Sequence, residues 1–190
     1  MGSIAEMTRL YMVRHGRAAA GFGGAMDPGL DELGLSQAQA VAEKLRALGP
    51  LKIISSPLAR AQQTAAPLAK RWGVTPVIDD AVAEIPSPKG MSLEQRIVWL
   101  RALMAGSWRS ASPELAMWRE HCVGTVAAIA QDTVIFSHYV ALNVIAGAAL
   151  KDDRVTVFSP DNCSVTVLET DGATLRLIEK GNEASLTRVN

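Results

Sequence analysis

Short apolar runs of strand type alternate along this chain with segments that carry their own helix caps, and that alternation leaves few folds open. Leu10-Tyr11-Met12-Val13, Leu51 to Ile54 and Thr133-Val134-Ile135-Phe136 are too short for helices and read as strands. Val77-Ile78 is a shorter one. Ser36 to Leu48 reads as a helix with Ala38, Val41, Leu45 and Leu48 on one face. Ser36 is its expected N-cap, Gln39 the capping-box partner, and Gly49-Pro50 the stop. Ser56, followed by Pro57, is expected to cap a helix running to about Arg71. Ser92 to about Ala105 and Ser112 to about Ala130 are two more, the second with Leu115, Trp118, Cys122, Val126 and Ile129 as its buried stripe. Val140 to Leu150 follows as an apolar helix. Near the end Val165 and Val167 alternate with Ser164 and Thr166, Leu175 and Leu177 share a face, and Asp171-Gly172 between them signals a hairpin. The expected fold is α/β with three layers, α/β/α. A mainly parallel sheet is flanked by helices, with an antiparallel element near the C-terminus.

Composition narrows the function classes. At 190 residues one domain spanning 1–190 is expected, and 48% hydrophobic residues are enough for a sizeable core. Lys plus Arg number 19 and Asp plus Glu 19, so the chain lacks the basic balance of a nucleic-acid binder or a polybasic membrane anchor. No apolar run reaches the ~18–20 residues of a membrane span. Met1 to Glu6 has neither the basic nor the apolar region of a signal peptide. Cys122 and Cys163 are too few for a disulfide framework and show no metal-ligand spacing. The expectation is a cytoplasmic protein with no metal, no nucleic-acid partner and no membrane partner.

In open α/β sheets ligands bind outside the carboxyl ends of the strands. The first strand ends in Arg14-His15-Gly16, the second runs through Ser55-Ser56-Pro57 to Arg60, and the Thr133 strand ends in Ser137-His138. Three strands therefore send two arginines and two histidines to one edge. Forked guanidinium donors match phosphate oxygens, helix N-termini after Pro57 and His138 add oriented N–H groups, and Gly16 lets a ligand approach the backbone.

Arg14-His15-Gly16 after a short strand resembles the signature of the histidine phosphatase superfamily, which includes the cofactor-dependent phosphoglycerate mutases. Leu33-Gly34 with Gln37-Ala38, the block from Ser55 through Arg60 to Ala65, Trp118-Arg119, Ser137-His138 and Pro160 to Ser164 resemble its other blocks in order. The resemblance implies that His15 is the nucleophile and that Arg14, Arg60 and His138 hold the phosphoryl oxygens. It implies that Glu84 protonates the leaving oxygen and then activates water, with Asp79, Asp80 and Glu94 as nearby rivals. It implies no cofactor or metal.

The function so implied is hydrolysis of a small phosphomonoester. A phosphoglycerate-type mutase, a phosphohistidine-protein phosphatase and a catalytically idle phosphate-binding module stand as alternatives. The absence of a large insertion favours hydrolysis over mutase action, and oligomeric state stays open. Residues 86–118 resemble the family's variable cap over the pocket, with Lys89, Arg96 and Arg101 either touching an acidic substrate or lying on a solvated helix face. Two departures stand out. Arg17-Ala18-Ala19-Ala20 follows the signature where the family often has Thr or Ser and then Asn, and Tyr139 replaces a common Gly. Arg17 is either a replacement charge or a solvated residue, and Tyr139 either narrows the pocket or caps its helix. His121 is expected to be structural.

Overall fold

The computed structural model describes residues 7–19 and 27–185. These form a six-stranded sheet, ordered β3-β2-β4-β1-β5-β6, from β1 (Thr8–Arg14), β2 (Lys52–Ser55), β3 (Val77–Ile78), β4 (Thr133–Ser137), β5 (Val165–Thr170) and β6 (Leu175–Glu179). The first four strands are mutually parallel; β5 runs antiparallel to β1, and β6 to β5. The Asp171 carboxylate accepts from the backbone of Ala173 and Thr174, and Gly172 takes φ +95 to close the hairpin.

The central strands are apolar on both faces because helices cover both faces. On one face Val13, Ile53, Val134, Phe136 and Val165 pack against Val41, Ala42 and Leu45 of α1 (Glu32–Leu45) and Ala65, Leu68 and Ala69 of α2 (Ala59–Trp72). On the other, Leu10, Met12, Ile54, Ile135 and Leu168 meet the remaining helices. Those are α3 (Leu93–Met104), α4 (Pro113–Ala127) and α5 (Tyr139–Leu150), which bring Leu100, Cys122, Val126, Leu142 and Ile145. Period-2 alternation along each strand sorts the two sets. The three-layer α/β/α reading, with its antiparallel end, matches what is observed.

Two helix starts differ from the sequence reading. Helix α1 begins four residues early, because Asp31 rather than Ser36 is the N-cap, accepting from Gly34 N at 2.8 Å. A 3₁₀ turn, Arg46–Leu48, ends it, and Leu48 lies 40% exposed off the buried face. Helix α2 begins at Ala59, with Leu58 as an N-cap that makes no side-chain bond, so Ser56 and Pro57 lie outside it. The Ser56 hydroxyl serves His138 instead. By contrast Ser92 caps α3 through the full box with Gln95, and Ser112 caps α4 ahead of Pro113. Of the stripe on α4, Leu115, Cys122 and Val126 are buried; Trp118 is partly buried, and Ile129 lies past the helix end. The glycine-rich stretch from Gly21 falls largely outside the described residues.

The start of α1 is locked against the loop after β1. A Cβ on Gly16 would lie 2.7 Å from the Gly34 carbonyl oxygen, and one on Gly34 2.1 Å from the Arg17 carbonyl oxygen. Both obstacles are backbone and cannot swing away. Gln37 Oε1 completes the clasp by accepting from Arg17 N at 2.9 Å. Leu33-Gly34 with Gln37-Ala38 is thus a fitting that seats the residues after His15. Gly34→Ala is expected to cost about 1–3 kcal/mol, the range for overpacking a tight site. That would appear as a fall of several degrees in Tm; an unchanged Tm would contradict the clasp.

Candidate active site

Backbone pairing places the pocket. His15 N donates to Ser137 O at 3.0 Å and Ser56 N to Phe136 O at 3.0 Å. The residues that leave β1, β2 and β4 therefore emerge side by side at the carboxyl edge of the sheet. Arg14, His15, Arg60 and His138 converge there.

His15 is 8% exposed. Its Nδ1 lies 2.7 Å from the Gly16 carbonyl oxygen, which can only accept, so Nδ1 carries the proton. Nε2 then presents a lone pair, and it accepts from Arg60 Nε at 3.2 Å. Burial, then the charges of Arg14 and Arg60, push the imidazole pKa down to about 3, so the ring is neutral at physiological pH. The loop is held on each side. Asn162 Nδ2 donates to the His15 carbonyl at 2.9 Å, and Gly16 N donates to Thr64 Oγ1 at 3.0 Å.

His138 is fully buried as the N-cap of α5, its ring centroid 5.1 Å from that of His15. Its Nε2 lies 2.7 Å from Ser56 Oγ. Ser56 Oγ already accepts from Leu58 N at 3.2 Å, so its hydroxyl proton is free to go to Nε2. This network assigns the His138 proton to Nδ1, a buried donor with no protein partner. Burial, with the His15, Arg60 and Arg14 charges, holds this ring's pKa well below the ordinary histidine value.

Arg14 donates through Nη1 to Pro160 O at 2.8 Å, and its guanidinium lies over the Tyr139 ring, 5.2 Å from the centroid. Its Nε is buried with no protein partner. Arg60, largely buried, also reaches Asp27 at 3.8 Å. Burial lowers the proton affinity of both guanidinium groups, and both feel the nearby Glu84 carboxyl.

Glu84 is half-buried, and its oxygens accept from Ile85 N at 3.0 Å and Val140 N at 3.3 Å. Burial raises its pKa, overcoming those two N–H groups and the Arg60 and Arg14 charges that pull the other way. The rivals lie elsewhere. Asp79 caps a 3₁₀ turn by accepting from Ala81 N, while Asp80 and Glu94 sit at the starts of a short turn and of α3.

Arg17 stands apart. It pairs with Asp31, Nε to Oδ2 at 2.5 Å, and its side chain is 46% exposed. Tyr139 is the first residue of α5, not its cap; its ring backs Arg14 and its hydroxyl lies 3.2 Å from Ser159 Oγ. His121 is exposed on α4. Ser56, Thr64, Asn162 and Asp27, which sequence reasoning gave no role in the pocket, are its supports. The first three sit inside blocks that reading had picked out, and that was the available signal.

Among the described residues no group of three or more His, Cys, Asp or Glu side chains could hold a metal ion. Among them also, no helix is long and apolar enough to cross a membrane. Cys122 and Cys163 are free thiols whose pKa values burial pushes up to about 12. What the pocket can do is bind a tetrahedral anion on Arg14, Arg60 and His138 Nδ1, beside a neutral imidazole lone pair and a carboxyl that keeps its proton unusually long.

Comparison with known proteins shows what the chain resembles. A probable phosphoglycerate mutase, GpmB, of Yersinia pestis is 38% identical over 121 residues, covering 62% of this chain and 50% of that protein. The chain thus spans about half the length of the curated relatives it matches. The mycobacterial glucosyl-3-phosphoglycerate phosphatase superposes with TM-score 0.76 at 24% identity, over 94% of this chain and 100% of the other. A phosphoserine phosphatase of Entamoeba histolytica, crystallised with 3-phosphoglyceric acid, gives TM-score 0.72 at 21% identity over 92% and 97%. The family model of the histidine phosphatase superfamily (branch 1) matches residues 10–183, nearly all of the chain. With the strand edge, the paired imidazoles and this match in agreement, the chain belongs to the histidine phosphatase superfamily.

Proposed function

We propose that the chain is a phosphatase that hydrolyses a small phosphomonoester, without a metal, through a phosphohistidine on His15. The observation that carries it is the His15 Nε2 lone pair, neutral and aimed at Arg60, with His138 5.1 Å away ring to ring. The phosphoryl group draws Arg60 off the lone pair onto its own oxygens, where Arg14 and His138 Nδ1 join it. His15 Nε2 then attacks phosphorus in line as the ester P–O bond breaks. The Glu84 carboxyl gives its proton to the leaving oxygen. Its carboxylate next takes a proton from water, which attacks phosphorus and returns His15 as neutral imidazole with inorganic phosphate released.

The 38% identity to a probable phosphoglycerate mutase keeps mutase action as a second reading. It shares the first transfer and differs in whether water or a second hydroxyl accepts the phosphoryl group. Residues 1–190 are read as one domain with 86–118 as a cap over the pocket. Free thiols fit a reducing, cytoplasmic setting.

Purified protein is expected to turn over p-nitrophenyl phosphate in the presence of EDTA, and His15→Ala to reduce kcat at least a thousandfold. Phosphate bound tightly with no turnover would identify an idle binding module instead.

Glu84→Gln is expected to lower kcat for an alkyl phosphate at least tenfold more than for p-nitrophenyl phosphate, whose leaving oxygen needs no proton. Equal losses would remove Glu84 from the acid role. The pH profile carries the same sign. A carboxyl with a raised pKa stays protonated further up the scale, so kcat for the alkyl phosphate should fall as pH rises through that pKa, and Glu84→Gln should flatten the limb. On the acid side His15 stays neutral down to about pH 3, so free-enzyme imidazole contributes no limb between pH 7 and 5.

A further inference from the structure

The buried face of α2 consists of Ala61, Thr64, Ala65, Leu68 and Ala69. Thr64 alone brings a polar group to that face, and it is fully buried. A hydroxyl taken out of water costs free energy unless it is hydrogen-bonded. Here it is used in both senses. Thr64 Oγ1 donates to the Arg60 carbonyl oxygen at 2.6 Å and accepts from Gly16 N at 3.0 Å.

The helix itself does not call for this residue. A threonine that bonds back to the carbonyl four residues earlier tends to bend a helix, and Ala or Leu would suit the apolar layer better. What a hydrocarbon could not supply is an acceptor for Gly16 N. Gly16 follows His15 directly and takes the His15 Nδ1 proton on its carbonyl oxygen at 2.7 Å. The contacts close into a ring. His15 Nε2 accepts from Arg60 Nε at 3.2 Å, the Arg60 carbonyl accepts from Thr64, Thr64 accepts from Gly16 N, and Gly16 is bonded to His15. Arg60 enters that ring through its side chain and leaves it through its carbonyl. One hydroxyl therefore sets how far the lone pair stands from the guanidinium.

We infer that Thr64 is a positioning residue, one that registers His15 against Arg60 without touching the substrate. The inference rests on the phosphatase reading given above and adds a residue to it. The single hydroxyl proton goes to the Arg60 carbonyl, so Thr64 has none to offer a phosphoryl oxygen. In-line attack needs the lone pair aligned with phosphorus near contact distance. In that reading Arg60 holds the phosphoryl oxygens and His15 supplies the lone pair, so the spacing of these two residues governs the approach.

The test sets changes at Thr64 against a matched change elsewhere. Thr64→Val keeps the branched shape and removes the hydroxyl, and it should lower kcat for p-nitrophenyl phosphate by about tenfold to a hundredfold, the effect of a misplacement of about 1 Å. KM should stay within about threefold of wild type, so that kcat and kcat/KM fall together, as they do when only the transition state loses an interaction. Thr64→Ser restores the hydroxyl and should recover most of kcat. Thr170→Val is the control. Thr170 is equally buried, donates to Ala127 O at 2.6 Å and accepts from Gly172 N at 3.0 Å, the same pair of bonds in another part of the fold. It should lower Tm as Thr64→Val does and leave kcat per folded molecule unchanged. If Thr64→Val does not fold, Thr64→Ala takes its place. An unchanged kcat on removal of the hydroxyl, a serine variant as slow as the valine one, or an equal loss in Thr170→Val overturns the inference. If the wild-type protein turns over no phosphate ester, the phosphatase reading fails, and nitrogen NMR spectra of the imidazoles decide the present point alone. The chain has 3 histidines, so His15→Ala identifies the His15 signals by subtraction. A His15 Nε2 resonance that moves in Thr64→Val and returns in Thr64→Ser supports the inference; one that stays put in Thr64→Val, or moves equally in Thr64→Ser, overturns it.

Discussion

The register of three parallel strands is the constraint on which the pocket depends. Arg14 pairs with Ser137 across β1 and β4, and Ser55 with Phe136 across β2 and β4. His15 and His138 therefore leave the sheet level with each other, and Ser56 leaves one residue earlier beside them. A slip of one residue would turn every side chain of a strand to the opposite layer. It would bury Arg14 in the core and withdraw His15 from Arg60. The apolar alternation that sorts Met12 and Val13 into different cores is thus also what aims the imidazole.

One physical cause then acts with opposite sign on two kinds of group. Removal from water disfavours whichever form carries charge. It keeps the two histidines neutral and raises the proton affinity of Glu84. The arginines add to the effect on the histidines and subtract from it on the carboxyl. A neutral lone pair and a carboxyl of raised proton affinity therefore share one pocket. The contacts of Gly16 O on His15 Nδ1 and of Ile85 N on Glu84 are uncharged and fix orientation without supplying a competing ion.

The fold was legible because its signals are local and repeated. Strand runs, the helix starts near Ser92 and Ser112 and the Asp171-Gly172 turn each depend on a few residues, and the structure has them where the pattern put them. The start of α1 was misplaced because Asp31 caps the helix ahead of Ser36, and that of α2 because a hydroxyl has a competing use. Ser56 has the chemistry of a cap but gives its oxygen to His138, 82 positions away, and no local rule sees that partner. The site was legible in outline for a different reason. Parallel strands deliver their ends to one edge, so Arg14, His15, Arg60 and His138 could be grouped before any distance was known. The supports could not. Asn162 holds the His15 carbonyl from 147 positions further along the chain, and that closeness exists only once β5 has folded back beside β1. The pairing of Arg17 with Asp31 was equally out of reach, since it depends on where α1 begins.

The contact between Arg60 and His15 has a consequence for how the protein tolerates its surroundings. A bare imidazole in a cleft would be open to stray electrophiles and soft metal ions. Here the only available electron pair is already engaged by an N–H at 3.2 Å. A neutral reagent offers the guanidinium no reason to move. In the function proposed above, a multiply charged oxyanion does, drawing Arg60 aside and uncovering the nitrogen it is to meet. On that proposal the guard and the receptor are one side chain, and chemical restraint toward bystanders comes from the same group that would welcome the phosphoryl.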